Sequence, residues 1–462
     1  MLDYLRIRGL RGFATEQTLK LAQPTGASGS GLTVLVGANN AGKSTAIEAL
    51  RAISQGQTPS FTQGRRNHIA GDEVQITVSF NERSTTLKSI RAGSSETEFT
   101  REAGGVDLTN LLVLPSRRVF NPYFGKGDAN RRDYMNQMGF PSIRSNAMGE
   151  FTNRLFAIEK NRAAFNAVLG KVLEPIPDWS IDQMDSGQFF LKIKAGAASH
   201  SSEGLGEGLV SLLYIVDALY DSGPDDLVAI DEPELSLHPA LQRRLSSLLL
   251  EYAATRQILI ATHSPFLVNL DALPNGATVA RAHISGSGSV ISQLSPETAR
   301  AVFGLMRNQN NPHILGLNAQ EIFFVDDKVI LVEGQEDVVF FARALQDLRA
   351  ELNGTFFGWG VGGAENMERI AMLLWELGFA KVVGILDGNR AELSLSLARI
   401  FPTYHFFAIP ADDVRTKRAI DAKAPVNGLL DDSNTNVRPE HAEATRSLVA
   451  RANEYLGVAA ST

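Results

Sequence analysis

The chain has 462 residues, a net charge of −7, 44% hydrophobic residues and no cysteine. That length exceeds one ordinary core and predicts two or three domains of a folded, soluble kind, while the missing cysteines exclude disulfides and thiolate metal sites and fit a reducing, cytoplasmic setting. No apolar run reaches about 18 residues, the N-terminus lacks the charged-then-apolar order of a signal peptide, and a nucleic-acid partner would need a local basic patch.

Residues 3–22 alternate around Leu5, Ile7 and Leu10, with Gly9 and Gly12 as breaks, and predict an opening hairpin or pair of strands. A Gly/Ser loop, Gly26 to Gly31, separates them from Leu32–Val36, an apolar run expected to be a buried strand. Next comes Gly37-Ala38-Asn39-Asn40-Ala41-Gly42-Lys43-Ser44-Thr45, the P-loop pattern, followed by a helix beginning at Ser44. Strand, glycine loop and helix are the context this motif requires. Gly37 and Gly42 let the backbone around Asn40 turn its N–H groups toward phosphate, and the helix start near Thr45 adds partial positive charge. Lys43 is placed to reach terminal phosphates, and Ser44 to hold magnesium.

Strands are expected at Val74–Phe80 and Leu111–Leu114, the latter running into Pro115-Ser116-Arg117-Arg118. Helical spacing covers Phe151 to Leu173, and Phe189–Ile193 predicts another strand. Ala195 to Gly208 is small and glycine-rich. It reads either as a linker or as a site, and its tight position before a helix at Leu209–Leu219 favours the site. Leu227–Ile230 is an apolar strand ending in Asp231-Glu232, the Walker B arrangement: Asp231 for magnesium, Glu232 as general base toward water. Gln257–Ala261 is another buried strand, ending at His263, a residue able to hydrogen-bond a γ-phosphate.

After an Asn-rich segment at Asn308–Leu317, βα alternation restarts. Strands are expected at Lys328–Val332, Thr355–Val361, Lys381–Leu386 and Tyr404–Ile409. The resulting organisation is an α/β ATPase domain over 1–307, a linker over 308–327 and a small parallel-sheet domain over 328–462. Glu333 and Asp387 follow different strands, and Asp337 lies one turn into the intervening helix. Three such carboxylates make a candidate magnesium or manganese site, or alternatively three solvated acids at helix starts.

The head motifs resemble an ABC-type ATPase of the recombination and repair class, whose opening strand is similar to Ile7–Phe13. That resemblance implies a D-loop at Ser236–Pro239, His263 as the switch histidine, and a signature motif at Ser201–Gly208. Ser202, Gly204 and Gly206 would there contact nucleotide across a head-to-head homodimer or higher homo-oligomer. The segment departs from the Leu-Ser-Gly-Gly-Gln form. The second domain resembles TOPRIM, which implies metal at Glu333, Asp337 and Asp387, with Asn389 standing where an Asp-x-Asp motif has its second aspartate. Asn389 brings a carbonyl oxygen but no charge, so weaker binding of a second metal follows. Lys417 matches the family's late lysine, and a solvated charge run explains it equally.

An ABC head followed by TOPRIM resembles the overcoming-lysogenization-defect (OLD) family, with Val332–Val338 and Gly358–Met367 particularly similar. The resemblance implies an ATP-dependent DNA endonuclease, using ATP and Mg2+ or Mn2+, in anti-phage defence. The rival is an ATPase scaffold or sensor whose degenerate TOPRIM domain binds a separate effector protein. For DNA contact the sequence offers Arg65-Arg66, Arg117-Arg118, Arg131-Arg132 and Arg243-Arg244, with Tyr123, Phe124 and Lys126.

Overall fold

The computed structural model describes residues 1–54, 58–81, 83–101, 111–116, 118, 125–127, 151–195, 198–201, 206–286, 288–306, 323–325, 327–418 and 425–457. The chain divides into two compact units, Met1–Gln293 and Leu294–Thr462.

In the first unit the strands are β1 (Tyr4–Arg8), β2 (Gln17–Lys20), β3 (Leu32–Val36), β4 (Gln75–Phe80), β5 (Arg83–Ser89), β6 (Thr97–Arg101) and β7 (Leu111–Leu114). They continue with β8 (Asp178–Gln183), β9 (Phe189–Ala195), β10 (Ala198–Ser201), β11 (Leu227–Asp231), β12 (Gln257–Ala261), β13 (Thr278–Ser285) and β14 (Gly288–Gln293). The central sheet has the order β14-β13-β3-β12-β11-β7, parallel except for β14 at its edge. Strands covered on both faces must be apolar throughout, and β3, β11 and β12 are buried at every position.

Register brings the functional ends together. Leu35 lies opposite Ala261, and Ala261 opposite Asp231, so β3, β12 and β11 finish side by side. Their carboxyl ends form the edge where open α/β sheets take ligands. The helix Lys43–Ile53 packs between this sheet and the antiparallel sheet β2-β1-β4-β5-β6. Its Ala46, Ile47, Leu50 and Ile53 share one core with Leu5, Ile7, Ile76 and Val78 on one side and Ala229 and Leu259 on the other.

The expected helix over Phe151–Leu173 is two helices, Phe151–Lys160 and Arg162–Leu169, broken at Asn161. Arg154 forms a two-pronged, buried pair with Asp217 on the helix Glu207–Asp221, at 3.2 and 3.0 Å.

The second unit has one parallel sheet, β16-β15-β17-β18, from β15 (Lys328–Val332), β16 (Thr355–Phe356), β17 (Lys381–Leu386) and β18 (His405–Ala408). Helices Gln335–Leu348 and Pro439–Leu456 cover one face, where Phe341, Leu345, Val449 and Leu456 meet Ile330, Val332, Val383 and Ile385. Helices Met367–Glu376 and Ala391–Ile400 pack on the other.

Two expectations change. The helix Pro296–Met306, expected within the first domain, packs against Met367–Glu376, and the Glu376 carboxylate accepts hydrogen bonds from the Ser295 N–H and the Ser295 and Thr298 hydroxyls. It belongs to the second unit, which begins at Leu294. The strand expected over Thr355–Val361 spans Thr355–Phe356 alone. Gly360, at φ 91°, turns the chain so closely against Gly334 that a Cβ there would sit 2.6 Å from its Cα. Most of the expected linker, 308–322, and the domain boundary expected at Asn308–Leu317 with it, lies outside the described residues.

Candidate active site

The P-loop leaves β3 at Gly37, whose φ of 141° and contact with the Ala282 carbonyl, 2.0 Å from any added Cβ, admit only glycine. Asn40 also has a positive φ, 62°, at the exposed tip of the loop. Gly42 caps the helix in the left-handed region, and Lys43, Ser44 and Thr45 form its first turn. Lys43 is buried, 4% exposed as a residue, and its ammonium donates to the Gly37 and Ala38 carbonyls at 2.9 and 3.0 Å. The loop is thus curled around the amine that would meet phosphate.

Across 187 positions of sequence, the Ser44 hydroxyl donates to Asp231 Oδ1 at 3.2 Å. This pair joins the phosphate loop to the Walker B strand. Glu232 follows with φ 48°, strained for a non-glycine residue, its N–H held by the Ala261 carbonyl at 2.8 Å. Burial lowers the Lys43 pKa, while the charges of Asp231, Glu232 and Glu234 oppose that fall. Burial also lowers His263, the Lys43 charge adds to this, and Glu232 opposes it. A neutral imidazole therefore lies within electrostatic reach of both Lys43 and Glu232. P-loop, β11 and β12 ends make one site.

Three residues of this site were not expected at the nucleotide from the sequence. Glu234 accepts the His263 N–H at 2.6 Å, and burial raises its pKa. Thr262 is fully buried beneath it. Arg118 points inward: its Nη2 donates to the Asp231 carbonyl at 2.7 Å and its Nη1 to the Ser211 hydroxyl at 2.8 Å. Burial pushes this guanidinium down to about 10 against the opposing charges of Asp231, Glu234 and Glu232. Arg118 is committed to the nucleotide site, which corrects its expected role in DNA contact. The signal was available in the apolar strand just before it.

Of the signature positions, Ser202 and Gly204 lie outside the described residues, as do Arg117, Tyr123, Phe124, Arg131 and Arg132. Gly206 is exposed and caps the helix Glu207–Asp221 with an extended backbone. The helix start meets the segment Ser236–Pro239 within the same chain, where Ser236 Oγ donates to Glu207 Oε2 at 2.9 Å.

In the second unit, Glu333 follows β15 and Asp387 follows β17, and Glu333 Oε1 accepts the Asp387 N–H at 3.1 Å. Asp337 Oδ2 accepts the Gly334 N–H at 2.7 Å, fixing the helix start. Burial, then the charges of Asp337, Glu333 and Asp413, push Asp387 up to about 8. Burial also pushes Asp337 up to about 6, opposed by its hydrogen bond from Gly334. Asp387 Oδ1 is buried without a hydrogen-bond partner. Lys417 pairs with Asp413 and, at 3.4 Å, with Glu336, and its charge reaches both Asp337 and Asp387.

Asn389 is exposed, and its amide donates to the Asp412 carbonyl at 2.8 Å. Among the described residues, no group of three or more histidine, aspartate or glutamate side chains converges so as to hold a metal ion. Glu333, Asp337 and Asp387 are neighbours electrostatically, but they do not form a ready cation cage.

Residues 4–161 match the family described as an AAA domain, and residues 134–269 match the one described as AAA domain, putative AbiEii toxin, Type IV TA system. The first unit has an α/β P-loop ATPase fold that is similar, over these two segments, to AAA domains. Endonuclease GajA of Bacillus cereus (strain VD045) is 27% identical over 130 residues, 28% of this chain and 20% of that protein. The match thus spans about a fifth of the length of this curated relative. The SMC head domain from Thermotoga maritima is 15% identical with a TM-score of 0.37, covering 64% of this chain and 99% of that one. An SmcHead bound to the C-winged helix domain of ScpA is 14% identical with a TM-score of 0.42, covering 65% and 99%. Among the described residues no helix is long and apolar enough to cross a membrane.

Proposed function

We propose that the chain is an ATP-regulated DNA endonuclease in which the head binds and hydrolyses ATP and the second unit cuts DNA with the help of a divalent cation. The observation that carries the ATPase half is the Ser44–Asp231 hydrogen bond beside the buried Lys43. The donor set fits magnesium nucleotide: a glycine cradle, one ammonium, a hydroxyl and a carboxylate. Gly37, Asn40, Gly42, Lys43 and Thr45 would bind phosphate, and Ser44 with Asp231 would hold Mg2+. The ion would neutralise phosphate charge. Glu232 would take a proton from water, and neutral His263 would hydrogen-bond the terminal phosphate. Ser202, Gly204 and Gly206 would complete the site in a head-to-head homodimer.

Support for the nuclease half is the partial likeness to an endonuclease and the repulsion stored among Glu333, Asp337 and Asp387. A cation, Mg2+ or Mn2+, would relieve that repulsion, and the side chains would have to close in to hold it. The proposed setting is cytoplasmic, in anti-phage defence. A second reading is favoured by Asn389, whose amide is turned to a backbone carbonyl: an ATPase sensor whose second unit binds a separate effector protein.

Plasmid nicking with Mg2+ or Mn2+ and ATP separates the two. Cleavage by the wild type that disappears in Glu333→Ala supports the endonuclease. No cleavage under any combination of metal and nucleotide supports the sensor.

A further inference from the structure

Arg118 lies outside the motifs, yet its side chain hydrogen-bonds the backbone carbonyls of both Walker B carboxylates. It follows β7, the edge strand paired in parallel with β11. Nη2 reaches the Asp231 carbonyl at 2.7 Å, and both terminal nitrogens stand 3.4 Å from the Glu232 carbonyl. Nη1 donates to Ser211, in the second turn of the helix Glu207–Asp221. One planar, rigid group therefore touches the end of β11, the turn at Glu232 and the helix that begins at the glycine-rich segment.

The need for such a group comes from Glu232 itself. Its φ of 48° is strained for a non-glycine residue and persists only where surrounding bonds over-determine it. The Glu232 N–H is tied to Ala261. On the carbonyl side, the Leu235 N–H donates at 3.1 Å and the Arg118 fork adds two longer contacts at 3.4 Å while gripping the preceding Asp231 carbonyl. Ser211 is buried, so the hydroxyl is fixed by packing as well as by the bond. Displacement of the helix start would thus be felt at the carboxylate through one side chain.

We infer that Arg118 is a positioning residue for ATP hydrolysis: it holds the Glu232 turn in register and couples it to the helix Glu207–Asp221. This rests on the ATPase reading above. The bonds of Arg118 go to two backbone carbonyls and a hydroxyl, so its role is to hold the chain and not to transfer a proton. Its contribution is to the placement of Glu232, where a shift of about 1 Å costs on the order of 100-fold in rate. Lysine retains the charge but lacks the fork that reaches two carbonyls and a hydroxyl together.

The test measures kcat for ATP, affinity for a fluorescent ATP analogue and thermal melting in the full chain. Wild type, Arg118→Lys, Ser211→Ala and Glu232→Gln are compared, with Arg118→Lys/Glu232→Gln as the double variant. The inference predicts that Arg118→Lys loses about 100-fold in kcat, keeps analogue affinity within about twofold, and adds no further loss in the Glu232→Gln background. Ser211→Ala should lose several-fold. Arg118→Lys with wild-type turnover overturns it. So does a loss of analogue binding that parallels the loss of turnover, or a full further loss in the double variant, because either assigns Arg118 to general integrity. A wild-type protein that turns over no ATP overturns the ATPase reading itself, and the role of Arg118 with it.

Discussion

Both units present a carboxylate edge at the carboxyl ends of parallel strands, yet the two edges are built on opposite electrostatic plans. At the head, Asp231, Glu232 and Glu234 face Lys43, with the Arg118 guanidinium bonded beneath them. Charges of both signs are interleaved, and hydrogen bonds between distant segments lock them in place. In the second unit, Glu333, Asp337, Asp387 and Asp413 repel one another with Lys417 as the cation they share. The first edge is preorganised for an anion that brings its own magnesium. The second holds an unfavourable charge cluster that a cation would stabilise. A nucleotide site and a metal site thus differ in what is already compensated before ligand arrives.

The sharpest break of this comparison is Glu232→Gln. Removing the general base should lower kcat for ATP by about 10²–10⁴-fold while nucleotide stays bound. Unchanged turnover would take Glu232 out of its role and erase the contrast.

Next in size is the proton on Asp387. Its pKa rises from 3.8 unfolded to about 8 folded, so the folded unit keeps a proton that the unfolded chain loses. Stability then falls as pH rises from about 4 to about 8 and levels off above that. In EDTA, Asp387→Asn should melt several degrees higher than wild type at pH 9 and equally at pH 4. A variant less stable at pH 9 would show that the cluster is not strained. Addition of Mn2+ should raise the wild-type melting temperature at pH 8 and leave Asp387→Asn nearly unmoved.

The smallest expected effect is Asn389→Asp. Returning a charge at an exposed position should tighten Mn2+ binding by roughly fivefold, the worth of about 1 kcal/mol of Coulomb attraction near water. Titration calorimetry on the two proteins measures it, and no change would place residue 389 outside any cation site.

Much of the head was legible because parallel strands buried on both faces must be apolar runs. Leu32–Val36 and Gln257–Ala261 have the predicted bounds, as do Lys328–Val332 and Lys381–Leu386 in the second unit. Strands of the antiparallel sheet were harder. Arg83–Ser89 and Thr97–Arg101 are largely polar, and only pairing makes them strands, the first with Gln75–Phe80 and the second with the first. Arg118 was misread for a related reason. An arginine looks alike in sequence whether it faces solvent or, like Arg118, a neighbouring strand's carbonyls. At Thr355–Val361 the apolar pattern suggested a long strand, but glycine backbone angles ended it after two residues.

The central claim is that Lys43, Ser44 and Asp231 form one pocket for magnesium ATP. Calorimetric titration of ATP with Mg2+ into the wild type and Lys43→Ala tests it most directly. The account predicts saturable binding by the wild type, at one nucleotide per chain, and its loss in the variant. Wild-type protein that binds no ATP, or a variant that binds it equally well, would contradict it.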